Sequence, residues 1–442
     1  MKPLTEFPTR PFDCWPKAKE LRRMRNKLLW SAEERGDLVI QGLLLEGLIS
    51  LFSGFGKFGD PSFGPHYNQL LENHEALIKT MEIAEAKGFG RDLCSSMLCH
   101  LGQLYSGSTT ASPKGGTANP NFVFQSYDCP SMVKTGQLYA EYFGIPHVTV
   151  DVPYRDTEHT RSYFVQRMLD VIEWTEKFTG KTCDDESLAE GVENEWECFV
   201  LWARLCEEQK AVPAPMDMRH LQSLRVPWAN LRHKNEGVEF YRMVLDEVRD
   251  RVAQGISARG YETGRFFHDG IPPFFFIDIL KMPAQYGAVF LGGQTFDGGA
   301  WVKHENGSWE PGQTLKERGI ELRSREEAVD ALADLYLNYR PHMCYTAHRP
   351  AAHLKRVDEY SVDGVVVHLD HGCNGIQTGM MEVKRVLQEN GVPTTTYEGS
   401  QCDPRDLSET QVRDQLESFF ENLGLTKIIG ETGGGKEEGE NP

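Results

Sequence analysis

The stretch that most constrains the fold is Val362–Gly375, in which an apolar strand pattern runs directly into a cysteine turn. The β-branched run Val365–Val367 is typical of a buried strand. A helical pattern follows from about Ile376 to Asn390, so Cys373 lies on a strand-to-helix turn at the carboxyl end of the strand. Ligand sites of open α/β sheets lie at that edge. The amide donors and the helix dipole of such a turn favour a thiolate.

A second cysteine turn lies in the first third of the chain. Asn121–Gln125 is predicted to be a short strand, and it ends just before Cys129. A helix is predicted from about Met132 to Phe143, and Pro146–Val152 is the next strand. This order is a βαβ unit, and it implies a parallel sheet with Cys129 at the carboxyl end of a strand.

Between the two cysteine turns lies a segment of about 100 residues, from about 156 to 255, with a helical pattern and no convincing strand. The sequence therefore predicts an α/β protein in which a helical insert separates two parallel-sheet lobes. We divide the chain into an N-terminal segment with the first lobe (1–155), the insert (156–262), the second lobe (263–426) and a tail (427–442). The Gly- and Glu-rich tail is expected to be disordered.

Composition restricts the class of protein. The formal net charge of −18 disfavours nucleic-acid binding, which requires a basic face. Glu46, Gln41 and several glycines interrupt the most apolar stretch, Leu38–Phe55, so no membrane span is expected. No signal peptide is recognisable, and a cytoplasmic location is expected. The ten scattered cysteines are then thiols or metal ligands rather than disulfides.

Two glycine-rich segments resemble nucleotide-binding loops only superficially. Gly54–Gly59 matches the dinucleotide fingerprint, but the prolines that follow cannot open the required helix, and we interpret it as a plain loop. Gly433–Lys436 lacks the Ser or Thr that follows the lysine of a phosphate loop. The sequence therefore offers no site for ATP.

Three cysteines, Cys94, Cys129 and Cys373, each precede a helical segment, and the last two follow strands. No Cys-x-x-Cys pair occurs, which disfavours a zinc ribbon or a thioredoxin-type redox pair. Ordinary buried thiols are the competing interpretation. Cys99 is a rival to Cys94, although its position on a helix favours a core role, and Cys402 is a possible fourth ligand.

A site with three thiolates is suited to an iron–sulfur cluster or to zinc. A [4Fe–4S] cluster normally takes four cysteines, one per iron, so three would leave one iron with an exchangeable position. Zinc bound by three cysteines is the competing metal. His368 and His371 have metal-like spacing, but positions i and i+3 of a strand face opposite sides, so a shared ion is not expected. His371, beside Cys373, is a candidate proton donor or could tune the cluster, and an ordinary loop histidine is the competing interpretation.

Segments around these cysteines resemble a known family. The three motifs are Arg91-Asp92-Leu93-Cys94-Ser95, Asp128-Cys129-Pro130-Ser131-Met132-Val133-Lys134 and His371-Gly372-Cys373-Asn374-Gly375. The likeness continues through Tyr139–Asp151, Glu173–Lys177, Lys210–Pro215 and Asp363–Leu423. By their order and spacing the chain resembles the benzoyl-CoA reductase and 2-hydroxyacyl-CoA dehydratase family. The resemblance is greatest to the larger catalytic subunits of ATP-dependent (class I) benzoyl-CoA reductases.

The resemblance implies that Cys94, Cys129 and Cys373 bind one [4Fe–4S] cluster between two flavodoxin-like lobes. It implies low-potential electron transfer to an aromatic acyl-CoA, which gives a cyclic dienoyl-CoA. The implied partners are a second, homologous catalytic subunit, an ATP-hydrolysing iron–sulfur activator and ferredoxin as the upstream donor. The alternatives are a radical 2-hydroxyacyl-CoA dehydratase subunit with the same cluster and a non-catalytic scaffold or electron-carrier subunit.

Overall fold

The fold was described from a computed structural model of the chain. The structure describes residues 4–42, 48–59, 71–107, 119–127, 129–293, 296, 298–305, 307–339 and 349–428, with the side chains of 226–230 left out. The tail beyond 428, which is predicted to be disordered, lies outside these residues.

Thirteen α-helices occur in the described part of the chain. They are α1 (Trp15–Trp30), α2 (Ala32–Arg35), α3 (His74–Glu85), α4 (Ser95–Ser106), α5 (Pro130–Phe143), α6 (Glu158–Thr179), α7 (Asp185–Glu207), α8 (Met218–Leu231), α9 (Asn235–Gln254), α10 (Arg325–Asp334), α11 (Arg349–Glu359), α12 (Met380–Glu389) and α13 (Glu409–Asn422). The Ser408 side chain caps the last helix, because it accepts a hydrogen bond from the Gln411 amide. None of the described helices combines the length and the apolarity that a bilayer span requires.

In the described residues, ten strands form two four-stranded sheets and a hairpin. The strands are β1 (Leu38–Gln41), β2 (Phe58–Gly59), β3 (Phe122–Tyr127), β4 (His147–Asp151), β5 (Gly264–Asp269), β6 (Ala288–Gly293), β7 (Trp301–Lys303), β8 (Trp309–Pro311), β9 (Gly364–Asp370) and β10 (Thr394–Gly399). The sheet orders are β2-β1-β3-β4 and β10-β9-β5-β6, and β7 pairs with β8. Every pairing within the two larger sheets is parallel. Helices flank both sheets, so the predicted α/β fold with two flavodoxin-like lobes is confirmed.

Parallel pairing brings the cysteine turns to corresponding edges. In the first sheet, β3 pairs with β4 from Val123 to Tyr127, and Cys129 directly precedes α5. In the second sheet, β9 pairs with β10 until Asp370 stands opposite Gly399. The turn with Cys373 and the segment with Cys402 therefore leave neighbouring strands at the same edge.

The glycine-rich segment near the N-terminus is more ordered than predicted. Instead of a plain loop, Ile49–Phe55 forms a 3-10 helix and Phe58–Gly59 forms the short edge strand β2. Phe52 packs its ring edge-on against Phe124 of β3, with ring centroids 4.8 Å apart. The apolar residues of this segment therefore fold onto the first sheet.

The segment between the lobes is helical, as predicted. Helices α6 to α9 occupy it, and α7 carries Trp196 and Trp202, both almost fully buried in the main core. Cys198 and Cys206 lie on the same helix with no exposed surface, so both are core residues. The size of these buried side chains makes this segment a large part of the hydrophobic core.

Several buried histidines make stability depend on pH. Burial lowers the pKa of His100 to about 4, of His268 to about 3 and of His368 to about 4. Because the unfolded chain takes up these protons near pH 6.5, the free energy of unfolding is expected to fall as pH drops from 6.5 towards 4. Each histidine contributes up to about 1.4 kcal/mol per pH unit.

Urea denaturation between pH 7 and pH 5, at about half-unit steps, measures how the free energy of unfolding changes with pH. His268→Gln is expected to flatten the dependence, whereas the control His304→Gln, on an exposed side chain, is expected to leave it unchanged. An identical slope in the native protein and in His268→Gln would contradict this origin of the acid sensitivity.

Candidate metal centre

Cys94 occupies the first of the three predicted positions. It directly precedes α4 as the N-cap residue and is 9% exposed. Its carbonyl accepts a hydrogen bond from the amide of Leu98 at 2.9 Å, which starts the helix. The cysteine is thus held at the start of a helix, as the sequence predicted, although no strand leads into it.

Gly372 brings the second lobe against this turn. A Cβ atom placed on Gly372 would lie 2.5 Å from the carbonyl oxygen of Leu93 and 2.9 Å from the Cα atom of Cys94. Only glycine permits such an approach, because it has no side chain to separate the two backbones. Cys373, the next residue, is therefore positioned beside Cys94.

Cys129 reaches the same region from the first sheet. It packs against a small apolar cluster formed by Cys94, Met97 and Met132. The two methionines come from the helices that the two cysteines precede, α4 and α5. Thioether side chains provide a polarizable, adaptable lining. Cys94 therefore lies near both Cys129 and the Cys373 turn.

Burial dominates the ionisation of the thiols. It raises the pKa of Cys94, and negative charge on Cys373 and Asp370 adds to the effect. Burial and Asp370 likewise raise the pKa of Cys373, although the backbone amides of residues 375–377 act in the opposite direction. The amides of the turn act in the predicted direction, but in the protein alone burial outweighs them and the thiol form is favoured. A bound metal cation would stabilise the thiolates and lower the pKa values of these cysteines.

Asp370 and Gln401 are site residues that the sequence reasoning did not single out. The Gln401 side-chain amide donates to Asp370 Oδ2 at 2.8 Å and lies 3.5 Å from Cys94 Sγ. Burial raises the pKa of Asp370 to about 6, against the lowering effect of amides from Gly372 and Gln401. Asp370 ends β9, so its place at the carboxyl end of a strand was a usable signal.

The alternative cysteines have different surroundings. Cys99 is fully buried in a core with Leu98 and Leu101, in agreement with its predicted core role. Cys402 is also fully buried, and its amide donates to Ser95 Oγ at 3.0 Å. Its negative charge would raise the pKa of Cys94, so it lies near the site.

The two histidines have separate environments. His368 is buried, and its Nδ1 hydrogen bonds the carbonyl of Ile271. His371 is exposed, and its ring nitrogens contact Asp406 at 2.9 Å and Glu398 at 3.3 Å. Burial lowers the pKa of His371, but hydrogen bonds to these two carboxylates outweigh it and raise the pKa.

Within the described ranges, no three His, Cys, Asp or Glu side chains are close enough to hold a single metal ion. A [4Fe–4S] cluster takes one thiolate per iron, so its ligands need not converge on one point. The residues present fit such a group in their chemistry: three turns supply thiols, and two methionines pack with Cys94 and Cys129.

The chain was compared with protein families and characterised proteins. Residues 75–423 match the family described as 2-hydroxyglutaryl-CoA dehydratase, D-component. The (R)-phenyllactyl-CoA dehydratase alpha subunit of Clostridium sporogenes is 26% identical, over 80% of this chain and 84% of the relative. A benzoyl-CoA reductase subunit of Thauera aromatica is 23% identical, over 92% of this chain and 93% of the relative. The (R)-2-hydroxyglutaryl-CoA dehydratase alpha subunit of Acidaminococcus fermentans is 22% identical, over 69% of this chain and 60% of the relative.

Proposed function

Since the chain belongs to the 2-hydroxyglutaryl-CoA dehydratase, D-component, family, we propose that it is the iron–sulfur catalytic subunit of an ATP-dependent aromatic acyl-CoA reductase. The overall reaction would add two electrons and two protons to the ring of a benzoyl-CoA-type thioester and give a cyclic dienoyl-CoA. The observation that carries the proposal is the contact of Gly372 with Cys94, because it joins cysteine turns 279 positions apart in the chain into one buried site.

Cys94, Cys129 and Cys373 would hold a [4Fe–4S] cluster. When bound, such a cluster supplies single electrons at low potential, which can reach about −700 mV. The chain itself contributes three thiols, of which Cys94 is buried and Cys129 and Cys373 are partly buried, and an apolar methionine lining. Burial of Cys94 at 9% exposure keeps water from the sulfur, which suits chemistry that water would quench.

The choice of a reductase rests on the extent of the likeness. The alignment with the benzoyl-CoA reductase relative covers 92% of this chain and 93% of that protein. The alignment with the (R)-phenyllactyl-CoA dehydratase alpha subunit has the higher identity, 26% against 23%, and it favours the second candidate. That candidate is a 2-hydroxyacyl-CoA dehydratase subunit with the same cluster.

Both candidates imply partners. Each of the three relatives is named as one subunit, so each is part of a multi-subunit enzyme. We propose a second, homologous catalytic subunit, an ATP-hydrolysing iron–sulfur activator and ferredoxin as electron donor. The substrate is an acyl-CoA, and the proposed location is the cytoplasm.

Turnover distinguishes the candidates. The chain, co-expressed without oxygen with the genes beside its own, is expected to consume benzoyl-CoA with continuous ATP hydrolysis. Dehydration of a 2-hydroxyacyl-CoA after a single ATP-dependent activation would favour the dehydratase instead. A third outcome is a protein that binds its partners but shows no spectral response to either acyl-CoA. That result would contradict both enzyme candidates and favour a scaffold or electron-carrier subunit.

A further inference from the structure

A buried glutamine side chain contacts the Cys94 sulfur. Gln401 is 5% exposed, and its Nε2 lies 3.5 Å from Cys94 Sγ, a length that suits an N–H···S hydrogen bond because sulfur is larger than oxygen. The same nitrogen donates to Asp370 Oδ2 at 2.8 Å. A primary amide has two N–H groups, so one serves the carboxylate and the other the sulfur.

Asp370 determines which end of the Gln401 amide faces the sulfur. The two ends of such a side chain differ in role, because the nitrogen donates hydrogen bonds and the oxygen accepts them. A carboxylate accepts hydrogen bonds, so the nitrogen end turns towards Asp370. The same end then meets Cys94, and the sulfur receives a donor rather than an acceptor.

Asp370 also links this amide to the third cysteine turn. It is the last residue of β9, and its Oδ1 accepts the Gly372 amide at 3.3 Å. The helix that follows, α12, begins only at Met380, about one turn later than predicted, so the strand end is the regular element nearest to this turn. Gln401 therefore connects the Cys94 sulfur with the end of β9.

The backbone around Gln401 is fixed on two sides. Its carbonyl accepts the Phe274 amide at 2.8 Å. The amide of the next residue, Cys402, donates to Oγ of Ser95, the first residue of α4. A donor that is held in this way needs little further ordering when negative charge is placed on the sulfur.

We propose that Gln401 is a positioning residue whose side-chain amide, oriented by Asp370, holds the Cys94 sulfur against the end of β9 and raises the reduction potential of the cluster. This inference rests on the proposed function for the presence of the cluster. A ligand sulfur carries negative charge, which makes the bond from Gln401 stronger than one to a neutral thiol. Donors to ligand sulfurs stabilise the more negative, reduced cluster and so raise its potential.

The first test uses the protein without its cluster. Gln401→Met keeps the length of the side chain but removes both N–H donors. Hydrogen exchange of residues 93–98 and 370–373 is expected to be about fivefold faster in this variant, because the buried link between the two segments is lost. Gln401→Asn has an amide on a shorter stem and is expected to exchange at an intermediate rate.

Gln209→Met is the matched control. Gln209 is also buried, and its Nε2 donates to the carbonyls of Met216 at 2.8 Å and Leu291 at 2.9 Å. The same substitution therefore removes two buried hydrogen bonds that do not involve a cysteine. Residues 93–98 and 370–373 are expected to exchange at the native rate in Gln209→Met.

The second test is a spectroscopic redox titration of the anaerobically purified holoprotein. Gln401→Met is expected to have a more negative midpoint potential than the native protein, and Gln209→Met to keep the native value. Native exchange rates in Gln401→Met overturn the proposal whether or not a cluster is bound. An unchanged midpoint potential in Gln401→Met, or an equal shift in Gln209→Met, overturns it as well. Native protein that binds no cluster would instead count against the proposed function.

Discussion

Alanine at Cys94, Cys129 or Cys373 is expected to reduce the iron content of the anaerobically purified chain from about four atoms to fewer than one. Each substitution removes one thiolate from a set that has three, and two thiolates are too few to retain a four-iron group. The brown colour and the charge-transfer absorption should disappear in each variant. Iron analysis and absorption spectroscopy of the three proteins measure the loss directly.

Other cysteines of the chain provide matched controls. Cys99→Ala and Cys198→Ala remove fully buried thiols that lie in hydrophobic cores, and both variants are expected to keep their iron. Cys402→Ala decides between three and four ligands, because Cys402 lies near Cys94. Retention of iron in Cys402→Ala supports three ligands. Full iron content in Cys373→Ala would rule out this ligand set.

Gly372→Ala is expected to produce the second largest effect, although it changes no thiol. The added methyl group would lie 2.5 Å from the Leu93 carbonyl oxygen, so the Cys373 turn must move away from Cys94. Such a clash between backbones cannot be relieved by a rotamer change. We expect a loss of about 3 kcal/mol in the free energy of unfolding, together with most of the bound iron.

Gly312→Ala is the control for the glycine substitution. The nearest atom to its added methyl group is Cδ1 of the Tyr339 side chain at 3.3 Å, which can adjust by a small rotation. Urea denaturation of both variants measures stability, and iron analysis measures the site. A Gly372→Ala protein with native stability and native iron would show that the two turns need not touch.

Local patterns were sufficient to predict much of the fold. The valine run of β9 and the β3–α5–β4 unit were identified because strand and helix periodicity alternate there with clear turn residues. Strand β5 was missed because Arg265 stands within it. In the folded chain this arginine is buried and donates to the carbonyls of Tyr360 and Gln209, a compensation that the sequence does not display.

The candidate site was predictable only in part. The three cysteines were identified from their turns and from the family resemblance. The contact of Gly372 with Cys94 and the bridge from Gln401 to Asp370 join segments that are distant in the chain, so no local pattern reports them. The elevated thiol pKa values were missed for the same reason, because they depend on burial by the complete fold.

The central claim is that three distant thiols together bind an iron–sulfur cluster. Iron and acid-labile sulfide determination on the anaerobically purified native chain tests it most directly. The account predicts about four irons and about four sulfides per chain in a brown, oxygen-sensitive protein. A colourless protein that contains one zinc and no sulfide would contradict it.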